Sequence, residues 1–192
     1  MVTEGLLIWQ LDLFDRAIDC YQKVIEIDEN NEYAYLGVGL NLYSIEKYPE
    51  AIFYLEKLTK LDPKHVDAYY YLGLAHKRSQ NMVLADEALN TALSLSPKRL
   101  DLLHAKAALM YDLENYEAAI LTYNKIVAIE PKDALGWYDL ACCYALQGNS
   151  ESALASLKQA IELAPDRFRQ HARTDADLIS IRDCEPFEYI LS

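Results

Sequence analysis

The chain has 192 residues, 52% of them hydrophobic and 25% charged, a balance that excludes general disorder and allows one domain with a real core. Its formal net charge of -12 excludes binding to nucleic acid or an anionic membrane through a broad field, because phosphate binding needs clustered Lys and Arg. Six glycines, six prolines, abundant Ala, Leu and Tyr, and no long alternating Val/Ile/Thr runs predict an all-α chain.

The opening stretch from Met1 to Trp9 carries Glu4 early and has no basic leader, so it is not read as a signal peptide. No stretch approaches the roughly 18–20 apolar residues that span a bilayer, and membrane insertion is not expected. Cys20, Cys142, Cys143 and Cys184 show no C-x-x-C spacing. They are expected to be reduced, buried and structural, binding no metal and no cofactor, in agreement with a cytoplasmic location.

Pro63, Pro97, Pro131 and Pro165 fall 34 residues apart, each after a Leu/Ile-x pair. That period is the length of a helix-turn-helix solenoid unit. In this register, first helices are predicted over 2–11, 31–44, 65–78, 99–112 and 133–146, and second helices over 14–27, 48–61, 82–95, 116–129 and 150–163. A small residue recurs midway along each first helix: Gly5, Gly39, Gly73, Ala107 and Ala141. The matching column of the second helices is Ala17, Ala51, Ala85, Ala119 and Ala153, so the two helices of each unit approach closely. Larger columns, such as Tyr21, Leu55, Leu89, Tyr123 and Leu157, followed by Val24, Leu58 and Ile126, read as core.

The copy Trp137-Tyr138-Asp139-Leu140-Ala141, Tyr144, Gly148-Asn149, Ala153, Leu157, Ala160, Pro165 resembles the tetratricopeptide repeat family. The resemblance implies a right-handed α-solenoid of five helix-turn-helix units over 1–165, divided at about 1–29, 30–63, 64–97, 98–131 and 132–165. The stretch 166–192 loses the period and resembles the closing segment of bacterial members, with Leu178, Ile181, Phe187 and Leu191 covering the last helix pair. Glu4 and Lys106 depart from the usual Leu column, His76 from a Tyr column, Glu29 from the first Pro and Ser150 from an inter-helix aromatic. Lys106 is expected to snorkel, His76 to pack in the core, and Arg182 to pair with Asp177 or Asp183. Leu6, Leu7, Ile8 and Trp9 crowd a first helix with nothing before it. That edge is expected either to continue a longer solenoid or to be covered by a partner or second copy.

In this family the first helices line a concave face. Carried onto this sequence, the peptide-binding groove contains Leu6, Trp9, Tyr33, Leu36, Leu40, Tyr43, Asp67, Tyr70, Tyr71, Leu74, Lys77, Arg78, Asp101, His104, Tyr111, Tyr138 and Asp139, with Ala108, Leu135 and Cys142 beside them. The surface is Tyr-rich and mildly acidic, suited to a peptide of basic or apolar character. The family's carboxylate clamp for chaperone tails needs Lys, Asn and Arg where this chain has residues such as Leu36, Leu40, Asp101 and Ala105. A chaperone tail is therefore not the expected ligand. No phosphate-loop, dinucleotide, metalloprotease or nucleophile-elbow motif is present. The expected function is a non-catalytic scaffold or adaptor that binds a peptide segment of a partner. The alternatives are a homo-oligomeric structural scaffold built through the N-terminal edge, or the repeat domain of a larger enzyme or regulator.

Overall fold

The computed structural model describes the backbone of residues 2–192 and the side chains from Asp12 onward. Every regular element among the described residues is helical, and the chain is an all-α solenoid of two compact units, Met1–Pro97 and Lys98–Ser192.

The first unit contains α1 (Val2–Ile27), α2 (Glu32–Ser44), α3 (Tyr48–Leu61), α4 (Val66–Arg78) and α5 (Met82–Leu95). Each helix packs on the next, and α2 also touches α4. The second unit contains α6 (Leu100–Asp112), α7 (Tyr116–Ile129), α8 (Ala134–Leu146), α9 (Ser150–Leu163), α10 (Pro165–Thr174), a 3-10 segment (Ala176–Ile181) and α11 (Glu185–Leu191). From α2 to α9 the helices begin within one residue of the positions that the proline register predicts.

The turns inside the hairpins explain that register. At Glu46, Gln80, Glu114 and Gly148 the backbone enters the left-handed region, with φ between 56° and 76°. The next residue's N–H reaches back to the helix just ended, as in Lys47 to Leu42 (2.9 Å) and Asn115 to Met110 (2.9 Å). These bonds satisfy carbonyls that a helix end otherwise leaves orphaned. The side chains of Asn115 and Asn149 then cap the following helices, accepting from Ala118 and Ser152 N–H at 3.2 and 3.1 Å.

One expected turn is absent. The predicted pair 2–11 and 14–27 is a single helix, α1. Its turn position holds Asp12-Leu13, where other hairpins have Gln80-Asn81 or Gly148-Asn149. A continuous helix keeps the backbone hydrogen bonds that a turn at this point gives up. Tyr21 and Val24, read as core, are 37% and 38% exposed because α1 packs mainly on α2.

The small columns do what their spacing requires. A Cβ built on Gly39 would stand 2.8 Å from Leu55 Cγ, and one on Gly73 would stand 2.7 Å from Leu89 Cγ. Ala51, Ala85, Ala119 and Ala153 are fully buried. In the second unit Leu178, Ile181, Phe187 and Leu191 join a buried cluster with Ala141, Leu157 and Ile161, so α10, the 3-10 segment and α11 seat against α8 and α9.

Three local expectations change. Cys20 is exposed, because it sits on the outward face of α1, whereas Cys142 and Cys143 are buried. Arg182 forms no ion pair with Asp177 or Asp183; its guanidinium donates to the Asp175 backbone carbonyl at 2.5 Å, which the 3-10 turn presents to it. His76 is buried as expected, but its Nδ1 has no hydrogen-bond partner.

Candidate functional site

The residues expected to line one groove fall on two units, and each unit gathers its own set. In the first, the side chains of Leu6 and Trp9 lie outside the described residues. Tyr33, at the start of α2, is 85% exposed. Tyr43 of α2 meets Tyr48 of α3 and Tyr71 of α4 edge-on, with ring centroids 5.5 and 6.0 Å apart, and Tyr71 meets Tyr70 at 5.0 Å. This run of four tyrosines is half-buried: Tyr43 packs on Ile18, Val38 and Ala51, while Tyr71, with Leu36, packs on Leu55 and Leu72. The tyrosines thus pack between neighbouring first helices and present ring edges to solvent at the same time. Leu40, Asp67, Leu74 and Lys77 are half-buried beside them, and the exposed Arg78 is close enough to Tyr43 for the two to interact electrostatically.

The second unit gathers its set around a cavity of about 600 Å³ between α6, α7, α8, α10 and the 3-10 segment. Tyr111, Tyr138 and Asp139 line it, together with Tyr123, Cys142, Phe168, Asp175 and Asp177. Three tyrosine–aspartate pairs organise the wall. Tyr138 donates to Asp175 at 2.7 Å and Tyr111 donates to Asp177 at 2.5 Å, while Tyr123 stands beside Asp139 and acts on it electrostatically. The Tyr138 ring stacks on Phe168 at 4.5 Å. Asp101 and His104 are spent nearby on internal pairs, Asp101 with Arg99 at 2.8 Å and His104 with Asp133 at 2.6 Å.

Electrostatics in the cavity follow from burial. Desolvation raises the Asp139 carboxyl to about 6; Asp133 adds to the rise, while the Tyr123 hydroxyl, His104 and Arg167 oppose it. The hydroxyls of Tyr111, Tyr123 and Tyr138 are all pushed up by burial and by their aspartates, so they stay protonated donors. Cys142 is likewise pushed up, by burial first and then by Asp175 and Asp177, and Cys143 is pushed up to about 12. Protonated thiols of this kind are poor nucleophiles and poor metal ligands. Cys142, Asp175 and Asp177 do place ligand atoms within 4.8 Å of one another, but both carboxylates already accept tyrosine hydroxyls.

Asp175, Asp177 and Phe168 lie beyond the last proline, where the period ends and supplies no register. Tyr123 sits in a column that reads as core. The signal for the two aspartates is the Thr174-Asp175-Ala176-Asp177-Leu178 stretch, in which the Asp175 side chain accepts the Asp177 N–H at 3.1 Å and opens the 3-10 turn.

Two family models described as tetratricopeptide repeat match residues 2–31 and 106–182, and between them they cover more than half of the chain. A third, described as anaphase-promoting complex, cyclosome, subunit 3, matches residues 44–126. No curated protein sequence matches the chain. Among solved structures, a crystal structure of MamA is 28% identical with a TM-score of 0.76, over 80% of this chain and 90% of that one. YrrB, described as a TPR protein with an unusual peptide-binding site, is 18% identical with a TM-score of 0.70, over 91% of this chain and 97% of that one. The C-terminal part of a TPR repeat-containing protein from Cytophaga hutchinsonii covers 100% of this chain with 78% of its own, at 19% identity and a TM-score of 0.77. At those identities the last two show likeness of fold. Proteins built this way serve in general as protein–protein interaction scaffolds and are generally not catalysts. With the hairpin register, the small-residue columns and the matched models in agreement, the chain belongs to the tetratricopeptide repeat family.

Proposed function

We propose that the chain is a non-catalytic adaptor that holds a peptide segment of a partner protein against the tyrosine-bearing faces of its first helices. The observation that carries this reading is the run Tyr48, Tyr43, Tyr71 and Tyr70, drawn from three helices and fixed ring against ring. Tyrosines held this way lose little further entropy on binding, and they offer both a large apolar area and a polar tip. The flanking Leu36, Leu40 and Leu74 extend the apolar strip, while Asp67, Lys77 and Arg78 give it a polar edge. YrrB, of the same fold, is described as having a peptide-binding site, which adds to the reading. A cytoplasmic location belongs to the same proposal, and the free, buried thiols of Cys142 and Cys143 support it.

The test is a peptide-display selection against the 192-residue protein, followed by affinity measurement of the selected peptides on the wild type and on a Tyr70→Ala/Tyr71→Ala variant. Losing two aromatic anchors is expected to weaken binding by roughly 10–100-fold. Equal affinity for the two proteins would place binding elsewhere and remove the reading.

A further inference from the structure

The cavity of the second unit is more acidic than a surface meant only for apolar contact requires. Of its carboxylates, Asp175 and Asp177 each accept one tyrosine hydroxyl, which is a neutral donor, and Asp139 stands beside the Tyr123 hydroxyl. A carboxylate has about four lone-pair sites, so one such bond leaves both acceptor capacity and the full negative charge in place. The wall also supplies apolar surface that is not fully buried, from the half-buried ring of Tyr111 and the exposed side chain of Leu135. Carboxylates beside aromatic rings, in a site large enough for a side chain, form the environment that a guanidinium or ammonium group selects.

Two basic side chains, Arg167 and His171, line the cavity themselves, both at its exposed rim. His171 stands 3.4 Å from Asp175 with 59% of its side chain exposed. Arg167 is exposed too, its guanidinium lying 4.9 Å from the Phe168 ring centroid. Of the influences on Asp139, that of Arg167 is the weakest, and the carboxyl remains above its ordinary range.

We propose that this cavity is a receptor for one cationic side chain, the guanidinium of an arginine or the ammonium of a lysine, carried on a partner's peptide segment; the proposal rests on the peptide-binding reading above. The alkyl stem lies against Tyr111 and Leu135 while the forked N–H donors reach Asp139 and Asp177. Arginine fits better than lysine, because a planar fork can address two carboxylates at once.

Calorimetric titration of the whole protein tests this, using a short capped alanine-rich peptide with one arginine and the same peptide with citrulline, a neutral isostere. The arginine peptide is expected to bind at least about ten-fold tighter, the worth of one charge-assisted hydrogen bond. Asp139→Asn and Asp177→Asn, checked for fold by circular dichroism, are each expected to bring the arginine peptide towards the citrulline value and to leave the citrulline peptide unchanged. Equal binding of the two peptides by the wild type, which needs no variant to fold, overturns the proposal. So does arginine binding that neither variant weakens, and so does zinc binding at the cavity without any response to arginine. If neither peptide binds while display-selected peptides still depend on Tyr70 and Tyr71, the cation receptor alone falls. If no peptide of any kind binds, the scaffold reading falls with it.

Discussion

His76 stands in the column that holds Leu42, Met110 and Tyr144 in other hairpins, and it is 6% exposed with Nδ1 unpartnered. Burial lowers its pKa, and Glu56 on α3 pulls the other way; Glu87 on α5 and Tyr69 on its own helix line the same small cavity. A folded-state pKa below the unfolded value near 6.5 means that the unfolded chain takes up the proton first as pH falls. The stability that the neutral imidazole permits is therefore present above about pH 6.5 and is lost below it. His76→Leu removes both the unsatisfied nitrogen and this proton linkage, and fits the column. It is expected to raise stability by ~1 kcal/mol at neutral pH and by more at pH ~5, as read by urea unfolding at the two values. Burial of this histidine was legible, because the column is a core column. Its missing partner was not, since hydrogen-bond satisfaction depends on which polar groups neighbouring helices happen to bring, and no spacing rule encodes that.

Among the helices, close approach rather than propensity sets the packing, and Gly73 is the point where that is most exposed to test. A methyl there meets Leu89 Cγ at 2.7 Å and the Ala85 carbonyl oxygen at 3.3 Å, so α4 and α5 must separate or Leu89 must leave its rotamer. Gly73→Ala gains helix propensity worth about 1 kcal/mol and still is expected to destabilise by ~1–2 kcal/mol net, because overpacking exceeds that gain. Thermal unfolding checks it, and a more stable variant would show the approach to be looser than the columns imply. The same columns made α2 to α9 legible, since a proline, an asparagine cap and a small residue recur at fixed offsets. They misled at α1, where the register predicted a turn and the chain runs on as one helix through Asp12-Leu13. They fell silent after Pro165, where Asp175 and Asp177 meet Tyr138 and Tyr111 across 37 and 66 residues of chain. Tyr111, Tyr138 and Asp139 were therefore legible as groove-column positions, whereas Tyr123 read as core and Asp175 and Asp177 fell outside the register.

At the scale of the whole molecule the net charge of -12 acts as a field, and acidic residues outnumber basic ones in both units. A field of that sign speeds the encounter with a cationic segment and does little to hold it once docked, since holding depends on the contacts inside the cavity. The two effects separate in the kinetics. Raising ionic strength from ~0.01 M to ~0.15 M shortens the Debye length from about 30 Å to about 8 Å, which screens distant surface carboxylates but leaves the half-buried Asp139, Asp175 and Asp177 largely unscreened. The association rate constant of the arginine peptide is expected to fall by roughly ten-fold over that range, while its dissociation rate changes by less than about two-fold. The citrulline peptide is expected to show no salt dependence in either rate. Stopped-flow measurement of both peptides checks this. An arginine association rate indifferent to salt would show that the overall charge serves solubility alone, whereas a dissociation rate that rose with salt would put the bound cation at the solvent-exposed rim, beside Arg167 and His171, instead of among the three tyrosine–aspartate pairs.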